Sequence, residues 1–512
     1  VIQETVIAAF VLVWLHGETG GGLADAGLES LTWLEAGMPA RAGLILAPQL
    51  LLWIGTWVWL SQLGRQMDRG RVEALARADA VLLGARIVGL MWHACAVLVL
   101  GWVGLVRQWI GNPVALDELV AASPPVIGLF VGFLAFQPIE KRVRDATFQR
   151  VLHDGLPVAG GEQGHPTRSR GTFVWFWSRQ SVLPVLIPVG CVFAWIEAAE
   201  RATSRFELGA GWIAVVQLSG AAGMIVLSPL LLKVLWGATP MPESDLRRAL
   251  ARVCLRSAVR VRDLLVWPTR GTTVNAAVLG FLPGTRFILF TDAMLERLGD
   301  ESVEAVTAHE VGHVKERHLP WLAISTAAAS GVLGLAVAWG ASRALVLIEY
   351  AAALDEKTMR QLTEVFGALA GLLTLGGAVA VFGWVSRRFE WQADAFAAAD
   401  QTRAMHPDAS VVSAEAAERV AEALSLVAAY NGIPPSRFGF RHGSIRTRQR
   451  KLRGLAGVPL ARIPQNRAAL WIKAGAVLGL VSLTMAYAWG WFDAGAGAAG
   501  AATGVGTMEH KR

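Results

Sequence analysis

Three residues carry the chemistry: His309, Glu310 and His313 form H-E-x-x-H within "SVEAVTAHEVGHVKERH". On a helix, positions i and i+4 share one face, so both imidazoles can reach a single metal ion. The chemistry such a pattern serves is hydrolysis. A zinc ion lowers the pKa of its water towards about 7, and the carboxylate beside it takes the proton. The local sequence favours a helix: Asp300 is expected as the N-cap, with Glu301 and Glu304 well placed in the first turn. Lys315, Glu316 and Arg317 follow at once, which puts this helix in water or at an interface. The bland alternative is a surface helix with two ordinary histidines.

A catalytic zinc takes three protein ligands and leaves one position to water. The best third candidate is Glu390 in "RRFEWQADAF". Asp394, one turn later, could accept a hydrogen bond from a ligand histidine and set its tautomer. Taken alone, E-x-x-x-D also describes a solvated helix face. His318 reads as a helix-end residue and not a ligand, and His16, His93, His153, His165, His406 and His510 are given no role. Cys95, Cys191 and Cys254 have no C-x-x-C spacing, so neither a disulfide framework nor a thiolate zinc site is expected.

The elements that must position these residues sit in a chain that is 54% hydrophobic and 17% charged, against about 25% charged in a typical soluble domain. The mean hydropathy is +0.44. These values indicate a membrane protein. Runs long enough to cross about 30 Å of hydrocarbon fall at 42–60, 81–106, 119–137, 181–198, 210–236, 321–342, 363–385 and 468–492. A shorter run, Ile7 to Leu15, is either a ninth span or the apolar stretch of a signal peptide. It lacks a basic flank, which favours a span. The net charge of +7 is read as cytoplasmic-loop arginine and not as a nucleic-acid surface. Loops 61–79 and 139–180 are the basic ones and are assigned inside. Alternation then puts 237–320 and 386–467 inside as well. Arg343, near a span end, is expected to snorkel.

The two polar segments are separated by a hairpin through the membrane, so they can form one domain only at the membrane surface. The first is expected to hold a helix, Glu243 to Val261, and a strand over Thr285 to Phe290, "TRFILF", which is rich in β-branched and aromatic residues. That strand could hold an extended peptide through its backbone, beside Ile288 and Leu289. The Gly/Ala-rich tail 493–512 is expected to be disordered.

In these blocks the chain resembles the HtpX-type and CAAX prenyl-endopeptidase family of integral-membrane zinc metallopeptidases. "NAAVLG" (Asn275 to Gly280) is similar to its N-A-x-x-x-G, and "FILFTDAML" to its edge strand and following turn. "HEVGH" is its zinc motif, and "FEWQAD" is similar to its F-E-x-x-A-D. "HGSIRTR" is similar to H-P-x-x-x-x-R, with Gly443 in the proline's place. The resemblance covers roughly residues 240–455.

The resemblance implies an all-α polytopic membrane bundle carrying a cytoplasmic α+β zincin-like metallopeptidase domain split by a transmembrane hairpin. The expected boundaries are an N-terminal transmembrane region (1–236), a first catalytic segment (237–320), the hairpin (321–386), a second catalytic segment (387–466), a last span (467–492) and the tail (493–512). One zinc ion per chain would be held by His309, His313 and Glu390, with Glu310 as general base. His442 and Arg448 would stabilise the oxyanion, and Asn275 would orient the peptide or a neighbouring loop. The expected partners are a peptide or membrane-protein substrate and the lipid bilayer, with no nucleic acid. The expected location is a cell inner or plasma membrane, with the site on the cytoplasmic face. A transporter or channel is the main rival, but it leaves the ordered motifs unexplained. A site-2-type intramembrane protease would need an L-D-G motif that this chain lacks. A silent scaffold of the same fold would not need the intact His309, Glu310, His313 and Glu390.

Overall fold

Aliphatic runs too long for a globular core fold as long helices. The computed structural model describes residues 2–18, 37–69, 73–111, 115–154, 169–206, 210–352 and 354–489. In the N-terminal half these are α1 (Ile2–Glu18), α2 (Met38–Asp68), α3 (Glu73–Leu98), α4 (Trp102–Ile110), α5 (Leu116–Ala121), α6 (Ser123–Asp154), α7 (Arg170–Trp177), α8 (Leu183–Arg205) and α9 (Ala210–Trp236). Eight helices of the described residues are long and apolar enough to cross a bilayer, one for each expected long run. The chain is a multi-pass integral-membrane protein. The expected run 81–106 is interrupted: α3 ends at Leu98, and Gly101, with φ +68°, turns the chain into α4. The short apolar run near the N-terminus lies in the 17-residue α1. The expected disordered tail, 493–512, lies outside the described residues.

The chain divides into two compact units. One comprises residues 1–240, 265–271 and 279–292, and the other 241–264, 272–278 and 293–512. In the first, α1 buries Val6, Ala9, Phe10 and Val13, a stripe at helical spacing, in a core shared with Trp102 and Leu105 of α4 and Leu129 and Phe133 of α6.

A four-stranded sheet is built from β1 (Thr239–Pro240), β2 (Asp263–Trp267), β3 (Ala276–Leu279) and β4 (Phe287–Thr291), in the order β1-β2-β4-β3. β1 and β2 are antiparallel, with Thr239 opposite Val266. All five β4 residues are buried, which is the pattern of a central strand covered on both faces. This corrects the expectation of an edge strand at Ile288 and Leu289. β4 is hydrogen-bonded to β2 and β3, so its backbone has no free side for a peptide, and both side chains are 0% exposed. The edges of the sheet are β1 and β3, and β3 starts directly after Asn275.

The second unit contains α10 (Asp245–Arg256), α12 (Asp300–Lys315), α13 (His318–Ala352), α14 (Glu356–Met405), α15 (Ala414–Tyr430), α16 (Ile445–Arg453) and α17 (Pro464–Ala488), while the short α11 (Asp292–Arg297) begins at the unit boundary. Ser244 caps α10 by accepting from the Arg247 N–H. The cap of α12 is Gly299, not Asp300, which instead lies in the first turn and faces the helix dipole. α13 and α14, both long and apolar enough to cross a membrane, pack against each other, and α17 packs on both. α14 runs unbroken for 50 residues, about 75 Å at 1.5 Å per residue. The boundary expected at Ser386 is a change of composition, with no break in the backbone. Just beyond it, Phe389 is 2% exposed in a cluster with Leu322, Val385 and Ala469. Burying such a side chain contributes about 1.5–3 kcal/mol.

Candidate metal centre

α12 is 16 residues long, and its helical spacing brings His309 and His313 onto one face. Their Nε2 atoms are 3.2 Å apart. α14 supplies Glu390, with Oε2 3.6 Å from His309 Nε2 and Oε1 3.6 Å from His313 Nε2. A tetrahedral ion with bonds of about 2.0–2.1 Å separates its ligands by roughly 3.3–3.4 Å. The His–His separation is close to that edge, each histidine has one Glu390 oxygen within a few tenths of an ångström of it, and two imidazoles with one carboxylate are a donor set that zinc accepts. The residues fit the ion.

The groups around the ligands are ordered by charge. Asp394, one turn along α14, lies 3.0 Å from His309 Nδ1, within ion-pair range though without the alignment of a full hydrogen bond. Burial alone would lower the His309 pKa, but the Asp394 and Glu390 carboxylates override it and push it up to about 9. Burial dominates at His313 and pushes it down to about 3, which leaves a neutral ring.

α16 supplies Arg448. Its Nε and Nη2 donate to the two Asp394 oxygens at 2.8 and 2.6 Å, and its Nη1 is 3.1 Å from Glu390 Oε2. At 5% exposure Arg448 points inward, unlike its basic neighbours. Burial opposes its charge, yet Asp394 and Glu390 raise its pKa further. All three guanidinium nitrogens face carboxylates, so Arg448 ties the ligand Glu390 to Asp394 behind His309. His442 is the more open group: Nδ1 is 2.9 Å from Glu390 Oε1 and the side chain is 56% exposed.

Glu310 follows His309 on α12. It retains some exposed surface, yet packing around it pushes its pKa up to about 7. A backbone hydrogen bond from Val278 of β3 pulls the other way. The edge strand therefore runs beside the candidate base. Asn275 stands just before that strand.

His318, left without a role on sequence grounds, is 4% exposed, and its Nδ1 lies 2.9 Å from His313 Nδ1. The signal was a third histidine five positions after His313. Its partner on the other side, Gln392, is 74 positions away, and sequence spacing gave no hint of it. Among the described residues a second acidic group, Asp117, Glu118 and Glu197, is also close enough to hold an ion, but Arg107 and Arg201 already pair with it.

The profile of Peptidase family M48 matches residues 240–455. A "CAAX prenyl protease 1 homolog" of Arabidopsis thaliana is 27% identical over 190 residues, 34% of this chain and 41% of that protein. One of Oryza sativa subsp. japonica is 26% identical over 188 residues, 34% of this chain and 40% of that protein. The match thus spans about two fifths of the length of these relatives. The crystal structure of S. mikatae Ste24p aligns with a TM-score of 0.42 at 14% identity, covering 81% of this chain and 97% of that one.

Proposed function

We propose that the chain, whose residues 240–455 match the profile of Peptidase family M48, is a zinc-dependent endopeptidase of the membrane. The observation that carries this reading is the convergence of His309, His313 and Glu390 within reach of one ion, with the Glu310 carboxyl on the residue after His309. A transporter reading leaves the carboxyl beside the ligands and the ordered motifs unexplained.

Zinc, when bound, supplies Lewis acidity and a water of lowered pKa. The protein's own residues do the rest. Glu310 takes a proton at its carboxylate and passes it to the leaving amine nitrogen. A pKa near neutrality suits a group that must do both. Glu390 holds the Nδ1 side of His442, and in its doubly protonated form this exposed ring donates from Nε2 towards a developing oxyanion. Arg448 keeps Glu390 and Asp394 from drifting. An extended substrate pairs with the open edge of β3, beside Glu310, with Asn275 at the entry to that strand.

The substrate class is peptide, either from membrane proteins under quality control or from a precursor being processed. The arginine-rich loops 61–79 and 139–180 support a cytoplasmic active site in an inner or plasma membrane. The decisive experiment is elemental analysis of the purified protein together with cleavage of an unstructured peptide. One zinc per chain, chelator-sensitive cleavage, and an E310Q variant that keeps its zinc but is inactive are expected. Near wild-type turnover in E310Q would sink the mechanism.

A further inference from the structure

The two histidine ligands are held from behind in different ways. His309 has a carboxylate, Asp394, at its Nδ1. The Nδ1 of His313 faces another imidazole, that of His318. The turn that allows this is Arg317, with φ +54°, between the end of α12 and the start of α13. It folds the first residue of the membrane helix back under the zinc helix.

The hydrogen bonds beyond His318 determine which atoms carry protons. Glu316 pairs with Lys473, Nζ lying 3.5 Å from Oε2, and a carboxylate in an ion pair only accepts. The same oxygen is 2.9 Å from Gln392 Nε2, which is also 3.0 Å from Asn466 Oδ1. That nitrogen's two hydrogens are thereby used, and the Gln392 amide orientation is set. Its Oε1 faces His318 Nε2 at 3.0 Å, so Nε2 of His318 must be the protonated nitrogen. A neutral ring protonated there presents a lone pair at Nδ1. The 2.9 Å contact with His313 is then a hydrogen bond only if His313 Nδ1 carries the hydrogen. In that tautomer the His313 lone pair is on Nε2, the atom that faces His309 and Glu390. Each donor in the chain meets an acceptor, with none left over.

We propose that His318 and Gln392 form a neutral relay that orients His313 and fixes the tautomer able to bind the metal, making His318 a positioning residue of the site. The inference rests on the zinc reading above. Packing alone does not account for the arrangement. The His318 ring stacks on Phe389 at 4.6 Å with an interplanar angle of 5°, a contact that phenylalanine would serve as well. What only an acceptor at the Nδ1 position provides is the bond to His313. A neutral relay also holds the second histidine without adding another negative charge to a site that already contains Glu390, Asp394 and Glu310.

The test is zinc affinity, measured by chelator competition on the metal-free full-length protein in detergent, alongside its melting temperature. H318F keeps the stack and removes the acceptor, so zinc binding should weaken by about 10–100-fold with little change in melting. H318N places an amide oxygen near the former Nδ1 and should recover most of that loss. Q392L no longer dictates the His318 tautomer and should weaken zinc as well. Wild-type affinity in H318F overturns the inference, as does an H318N that falls as far as H318F. If the wild-type chain has no zinc affinity, the functional reading fails with it. If the wild type binds zinc and H318F binds it equally, only the relay is wrong.

Discussion

Arg448 grips Asp394 through two parallel hydrogen bonds, Nε to Oδ2 at 2.8 Å and Nη2 to Oδ1 at 2.6 Å. The pair is buried on both sides, and the third nitrogen of the same guanidinium reaches Glu390. One cation thus restrains a metal ligand and the group behind another.

Breaking such a pair strands two buried carboxylates. R448A is expected to cost about 3–5 kcal/mol of stability, because the remaining charges are left uncompensated. R448K keeps the charge but cannot make the planar fork, and should fall between R448A and wild type. Thermal unfolding in detergent reads both. An R448A protein that melts with the wild type would show that water reaches these carboxylates.

Glu390 is the ligand contributed from outside the motif helix. E390A should lower zinc affinity and rate together, and excess zinc should restore some of the activity. D394N leaves the ligands in place, and a loss of roughly 10–100-fold in zinc affinity or rate is expected for such a supporting group. Unchanged zinc content in E390A would move the third ligand elsewhere, and His442, 2.9 Å from the Glu390 carboxylate, would be the first alternative.

Gly280 closes the turn after β3 with φ +94°, and a Cβ there would collide with the Thr285 carbonyl oxygen. Backbone cannot step aside as a side chain can. G280A should therefore cost about 1–3 kcal/mol for the disfavoured conformation alone. Melting temperature checks this, and an unaffected G280A would mean that the turn has another accessible form.

The orientation in the bilayer can be read with single cysteines placed near Arg270 and near Arg441 on a cysteine-free background. Both positions are expected to resist an impermeant thiol reagent applied outside intact cells. Labelling of both would invert the proposed topology.

The features of the site legible in the sequence are those encoded by local spacing. His309 and His313 are one helical turn apart, and that spacing is enough to bring their Nε2 atoms together. β4 is recognisable as a strand, but the edge position expected for it is wrong. Its "FILF" run lacks the alternation of a half-exposed strand, and that absence is the sign of a central one. Arg448 is hidden by the company it keeps: Arg441, Arg446, Arg450 and Arg453 are exposed while it is buried, a distinction that charge patterning does not carry. The His318 relay depends on Gln392 and Asn466, brought together from distant stretches of chain, and only the fold shows it.

The uninterrupted α14 has a mechanical consequence. One rod, long and apolar enough to cross the hydrocarbon, also carries Glu390, while the two histidines ride on a separate helix. A change in the tilt of that rod moves one ligand against the other two. Bilayer thickness, which sets tilt through hydrophobic mismatch, thus becomes an input to the geometry of the metal site. Zinc affinity compared between short-chain and long-chain lipids is expected to differ; equal values would mean that α14 bends near Ser386 and isolates Glu390 from the membrane's mechanics.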